Sequence, residues 1–148
     1  MTSNLTVTAQ YQKITTPTLT VNNVTVAVEE GMVEIPVTIS NNPGTAFLNV
    51  KVQFDDSVLK LSSASAGDVL DGFSYTKPKT YKNGCNLVWY TDYVEEPVDG
   101  EAFTLRFLIL DEEALGNHEI TLTINEAYDN DYNDVPLKVV NGLLTLTN

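Results

Sequence analysis

The sequence predicts an all-β protein, a two-sheet antiparallel β-sandwich of about nine strands. Apolar residues recur mostly at every second position, the period of a strand with one buried face. Clusters of Asn, Gly, Pro and Asp interrupt them at short intervals, and these residues preset turns or tolerate positive φ. A single sheet of this size would leave an apolar face wet, whereas two sheets bury theirs against each other.

A lead at the N-terminus holds one short strand-like piece, LTVTAQY, at residues 5–11. The predicted strands follow as TLTVNNVTVAV (18–28), MVEIPVTIS (32–40), AFLNVKVQF (46–54), LKLSSASA (59–66), FSYTKPKTY (73–81), NLVWYTDY (86–93), AFTLRFLIL (102–110), HEITLTINEAY (118–128) and LKVVNGLLTLT (137–147). The breaks between them read EEG, NNPG, FDDS, GDVLDG, KNG, EEPVDG, LGN and DNDYND. Only DEEALG resembles a helical turn. In VEIPVTI the residues Val33, Ile35, Val37 and Ile39 share one side, while Pro36 lies among the outward residues. Proline cannot donate to a ladder, so this strand is expected at an edge or with a bulge. In AFLNVKVQF one side, Leu48, Val50, Val52 and Phe54, is a core face. The other, Phe47, Asn49, Lys51 and Gln53, faces solvent or a partner, and it opens with an aromatic ring.

The 148 residues fit one domain, and a formal charge of −12, from 8 basic against 20 acidic side chains, disfavours nucleic acid and anionic lipid. No apolar run approaches the roughly 18 residues that span a bilayer, so no membrane insertion is expected. The N-terminus lacks a basic and then apolar leader, so a secretion signal is expected to have been removed or to belong to a larger parent chain. Cys85 is the only cysteine, which excludes an internal disulfide and a cysteine metal cage.

Little in the sequence points to chemistry. His118 is the single histidine, without partners for a triad or a histidine-rich metal site, and reads as a surface or strand-end residue. Cys85 follows the turn KNG with no neighbouring His, and reads as an inert thiol. Carboxylate pairs of a glycosidase are easy to propose among 20 acids and for that reason carry no signal. The cluster DNDYND invites a calcium loop, yet counting from Asp129 or from Asp131 puts Asp134 or Pro136 where the sharp-turn Gly belongs. The closing Glu is missing in both registers, where Val140 or Gly142 stands, so the segment reads as a solvated turn held by its own Asx side chains. No catalytic residue and no metal ligand is assigned. Trp89 and Tyr90 are adjacent on a strand and must face opposite ways, so one of them is outside. With Phe47 it can form a protein interface or a sugar platform.

The ordered set VEIPV, the alternation ending in FDDSVLKL, the following AGD, then EAFTLRFLIL and LKVVNGLLTL resembles a cohesin module of a bacterial cellulosome scaffoldin. The resemblance covers residues 18–148 and leaves 1–17 as a linker or appended lead. It implies a nine-stranded jelly-roll sandwich without enzymatic activity or cofactor of its own. Its partner would be a dockerin, a small helical module with calcium in two loops, and the chain alone would be a monomer. It further implies a secreted module, extracellular or at the bacterial cell surface within a larger scaffoldin. Carried over by position, the dockerin-binding residues would be Phe47, Asn49, Lys51 and Gln53 on one strand, Tyr81, then Trp89 or Tyr90 with Asp92, and Asp134. Phe47 and Asn49 stand where the family often has an Asn and an Asp, which implies a more apolar contact. The alternative is a carbohydrate-binding module of similar build using the same aromatics, ahead of a generic adhesive domain and, last, an enzyme.

Overall fold

The structure, a computed structural model, describes residues 16–148, so the strand-like piece at 5–11 lies outside the described residues. Eleven strands form two sheets: β1 (Thr18–Val21), β2 (Val24–Ala27), β3 (Met32–Ser40), β4 (Phe47–Gln53), β5 (Leu59–Ala66), β6 (Ser74–Thr76), β7 (Cys85–Tyr90), β8 (Gly100–Ile109), β9 (Gly116–Tyr128), β10 (Lys138–Val140) and β11 (Gly142–Thr147). One sheet runs β10-β1-β3-β8-β5 and the other β2-β11-β9-β4-β7-β6. This is the all-β jelly-roll sandwich expected from the sequence, with two more strands.

The two extra strands have one cause. The segments 18–28 and 137–147 each read as one strand, but each changes sheet in its middle, at Asn22–Asn23 and at Asn141. The crossings lie side by side, so β1 pairs with β10 and β2 with β11, both in parallel. These two pairs correct the expectation of purely antiparallel sheets. Asparagine side chains replace the ladder where it is interrupted: Asn23 Oδ1 accepts the Leu143 N–H at 2.9 Å and Asn141 Oδ1 accepts the Leu122 N–H at 3.1 Å. The chains approach so closely that a Cβ on Gly142 would lie 2.5 Å from the Val21 carbonyl oxygen, which excludes every residue but glycine.

Pro36 lies on β3, an interior strand, so the edge alternative is overturned; the nearby β3–β8 register slip, between Val37 and Thr38, puts its extra residue, Ala102, on β8 and not on the proline strand. The Pro36 carbonyl accepts the Asn22 N–H at 3.0 Å, just where β1 has ended and the chain leaves the sheet. A strand residue aims its N–H and C=O to the same side, so the missing donor falls where the partner strand departs. DEEALG forms a tight turn rather than a helix, with the Asp111 carboxylate accepting the Glu113 N–H at 2.9 Å. A single turn of 3-10 helix at Val28–Glu30 is the one helical piece among the described residues.

Leu48, Val50, Val52 and Phe54 of β4 and its exit, and Val33, Ile35, Val37 and Ile39 of β3, all enter the core. Its centre is an aromatic stack. Trp89 lies between Tyr75 of β6, at 4.5 Å and 15°, and Phe103 of the opposite sheet, at 4.6 Å and 23°. Cys85 is buried, and burial pushes its thiol pKa up, as suits an inert thiol. His118 sits on β9 with Nε2 2.7 Å from the Ala114 carbonyl oxygen.

Candidate docking face

Three adjacent strands, β7-β4-β9, carry the outward side of the second sheet. Alternation on each one, combined with register, places their outward residues in rows. Tyr90, Phe47 and Tyr128 form the first, followed by Val88, Asn49 and Glu126, then Asn86, Lys51 and Thr123. Gln53 closes β4 opposite Thr121. A register slip between Asn49 and Val50 against β9 lets Glu126 and Tyr128 point outward in line with Asn49 and Phe47.

The first row is an aromatic strip. The rings of Phe47 and Tyr128 lie 5.5 Å apart at 39°, and Tyr90 is 43% exposed. Below it runs a polar strip in which the Asn125 side chain donates to Asn86 Oδ1 at 2.8 Å and to Asn49 Oδ1 at 3.2 Å. Such a chain fixes the amides before any partner arrives. The Tyr128 hydroxyl donates to Glu126 Oε2. That hydrogen bond, ahead of partial burial and the negative charges of Glu126 and Asp134, raises the Tyr128 pKa, because each favours the protonated phenol.

At the aromatic end the strip opens into a cleft of about 570 Å³ lined by Phe47, Tyr90, Asp92, Glu126, Tyr128, Asp129 and Tyr132, among others. Its rim is preset by the acidic turn. The Asp129 carboxylate accepts the backbone N–H groups of Asp131 and Asn133, both at 2.9 Å, and Asn130 grips Val94 by its N–H and its carbonyl, both at 2.8 Å. DNDYND is therefore an Asx-held turn, as its sequence suggests. Asp134 is bridged to Tyr128 at the base of that turn.

The expected residues fall into two groups. Phe47, Asn49, Lys51, Gln53 and Tyr90 share the outward face, Asp92 lines the cleft, and Asp134 borders it. Trp89 is corrected: it is fully buried in the core stack and reaches no partner, so Tyr90 is the outward member of the pair. Tyr81 is also displaced from that face. Its hydroxyl lies 3.0 Å from that of Tyr75, and its ring lines a separate groove beside β5. Asn86, Val88, Asn125, Glu126, Tyr128 and Tyr132 were not singled out from sequence. Alternation could have marked Asn86 and Val88 as outward, but only strand pairing puts β9 next to β4.

The cohesin domain family model matches residues 17–145. Among solved structures, the non-cellulosomal cohesin of the hyperthermophilic archaeon Archaeoglobus fulgidus superposes with a TM-score of 0.75 at 20% identity, covering 89% of this chain and 91% of that one. A chain of a type I cohesin–dockerin complex from Clostridium thermocellum gives a TM-score of 0.75 at 25% identity, covering 89% and 99%. Among curated proteins, cellulose-binding protein A of Clostridium cellulovorans is 44% identical over 59 residues, which is 40% of this chain and 3% of that protein. The matched span takes in every described strand but the last residues of β11, and the chain belongs to the cohesin family.

Proposed function

We propose that this chain is a non-catalytic docking module whose β7-β4-β9 face binds a dockerin. The observation that carries the reading is the pre-set outward face, an aromatic row of Tyr90, Phe47 and Tyr128 beside an asparagine chain through Asn125. Rigid aromatic area with fixed polar groups next to it is what a protein interface needs and what a solvated sheet face does not. The strip along β4 spans roughly 20 Å at about 3.3 Å per residue, long enough to lie under a pair of helices. The Clostridium thermocellum relative was solved as a cohesin–dockerin complex. Phe47, Tyr90 and Tyr128 are the apolar anchors, Asn49, Lys51 and Gln53 give the polar contacts, and Asp92 and Asp134 attract basic groups at the rim.

Calcium belongs to the partner in this reading, filling the dockerin loops and coupling their folding to metal. The module would act outside the cell or at the bacterial surface, as one unit of a scaffoldin that gathers plant-polysaccharide-degrading enzymes. The archaeal relative is non-cellulosomal, so family membership alone does not supply that last step. Titration calorimetry against a panel of dockerins, with and without chelator, tests the reading. Binding to at least one dockerin, abolished by chelator and weakened by Phe47→Ala, is expected. Binding to soluble or insoluble glucans with no dockerin bound would instead make the aromatic row a sugar platform.

A further inference from the structure

A second surface lies away from the docking face. Among the described residues β5 is an edge strand, paired with β8 on one side only, and a groove of about 570 Å³ runs along its open side. The groove straddles the strand. Phe54, Leu61 and Tyr81 line it from the inward side of β5, and Leu108, opposite Lys60 in the ladder, from the outward side. Its far wall is fixed rather than loose. Tyr81 is tied to Tyr75 by their hydroxyls at 3.0 Å, Asn83 Oδ1 accepts the Phe54 N–H at 2.9 Å, and the Gly84 N–H donates to Val52 at 2.8 Å.

Charge distinguishes this groove from the rest of the molecule. Of the 8 basic residues, seven lie among those described, since Lys13 does not. Two of these seven, Lys60 and Lys82, line the groove, and Lys77 and Lys79 precede Lys82 in the same connection between β6 and β7. Asp56 is the one carboxylate in the lining. On a chain of net charge −12 this groove is lined by two lysines against one carboxylate, the reverse of the overall balance.

We infer that the edge of β5 receives an extended acidic segment of a partner protein, added as a strand. An open edge offers backbone donors and acceptors at strand spacing, and side chains of an added strand fall alternately on its two faces, where the two apolar walls stand. Carboxylates flanking them meet Lys60 and Lys82. The register slip between Leu61 and Ser63 breaks the edge, so pairing is confined to a few residues from Leu59 onward and is correspondingly weak. A second copy of this acidic chain is repelled as a whole. The surface does not depend on the docking face being a dockerin site, and both can be filled together.

The probe is the hexapeptide acetyl-EVEVEV-amide, followed by amide nitrogen–proton spectra of the full chain at low salt. Saturable shifts are expected at Lys60, Leu61 and Thr80 to Asn83, with Asn49 and Val88 unmoved. The combined Lys60→Gln and Lys82→Gln variant, both exposed positions, should melt like the parent and bind the peptide at least about fivefold more weakly. The lysine counterpart acetyl-KVKVKV-amide should not saturate. No saturable shift, shifts that map to the β4 face, or equal affinity in the parent and the double variant would overturn the inference. So would sedimentation showing that the chain self-associates through this edge, because the occupant would then be a second copy.

Discussion

Two aromatic groups stand back to back on β7. Trp89 points inward, between Tyr75 and Phe103, and Tyr90 points outward, in line with Phe47 and Tyr128. They are consecutive in the sequence and the sheet lies between them. The inner stack touches protein on every side, with Trp89 at 0% exposure, so its area is already spent on folding. The outer row leaves Tyr90 at 43% exposure, and that apolar area is still available for a partner. Aromatic content alone therefore says nothing of function; which face of the strand carries the ring decides it.

The largest expected effects break the inner side. Val50→Asp places an unpaired charge in the core and should leave the chain unfolded, seen as loss of near-ultraviolet dichroism. Trp89→Ala should cost about 3–5 kcal/mol in urea unfolding, the range for deleting a large buried ring. On the outer side, Phe47→Ala should weaken dockerin binding by at least about 1 kcal/mol, an interface-anchor effect, with a smaller change in stability. Equal affinity of Phe47→Ala and parent would remove the outer row from the interface and erase the functional half of the comparison.

Alkaline pH sharpens the contrast between the two tyrosine environments. Burial, then the hydrogen bond with Tyr81, pushes the Tyr75 pKa far up. The folded state thus holds its proton where the unfolded chain, ionising near about pH 10, releases it. The stabilisation is complete below that pH and is lost as pH rises toward the folded pKa. Tyr75→Phe should flatten the decline of stability above about pH 10 by up to about one proton per molecule, measured by urea unfolding at several pH values. Tyr128, raised mainly by its bond to Glu126 on an open face, should give a weaker flattening when changed to Phe.

The smallest expected effect concerns calcium and the rim of the cleft. Oδ1 of Asp129 accepts two backbone N–H groups, so an ion bound at that oxygen would compete with the turn itself. An ion of millimolar affinity at millimolar concentration adds only about 0.4 kcal/mol. The melting temperature of this chain should therefore hardly change on adding calcium, and a rise of more than about 5 °C would make the acidic turn a metal site.

Much of the fold was legible because one face of each strand is buried. The alternation in β3 and β4 named the core residues directly. The sheet switches were also written in the sequence, as a slip of parity. Apolar positions run odd at Leu19 and Val21, then even at Val24 and Val26, and slip again from Val139 to Leu144 and Leu146. Such a slip turns every later side chain to the other side of its strand. The site was only half legible. Phe47 to Gln53 follow from one strand's alternation, whereas Tyr128 and Glu126 join them through a pairing some eighty residues distant and a bulge that re-aims them. Tyr81 lies in the connection between β6 and β7, where no strand alternation fixes the direction of a ring, and its hydroxyl meets that of Tyr75 beside β5.

The paired crossings at Asn22–Asn23 and Asn141 also determine how the molecule bears force. Tension entering through β1 and β2 and leaving through β11 pulls parallel neighbours past each other along their length. The bonds of β2 with β11 are then loaded together, in shear, instead of opening one after another from an end. A strand exchange that looks like a detail of topology gives the domain a clasp across its two outermost segments, closed in both sheets at once.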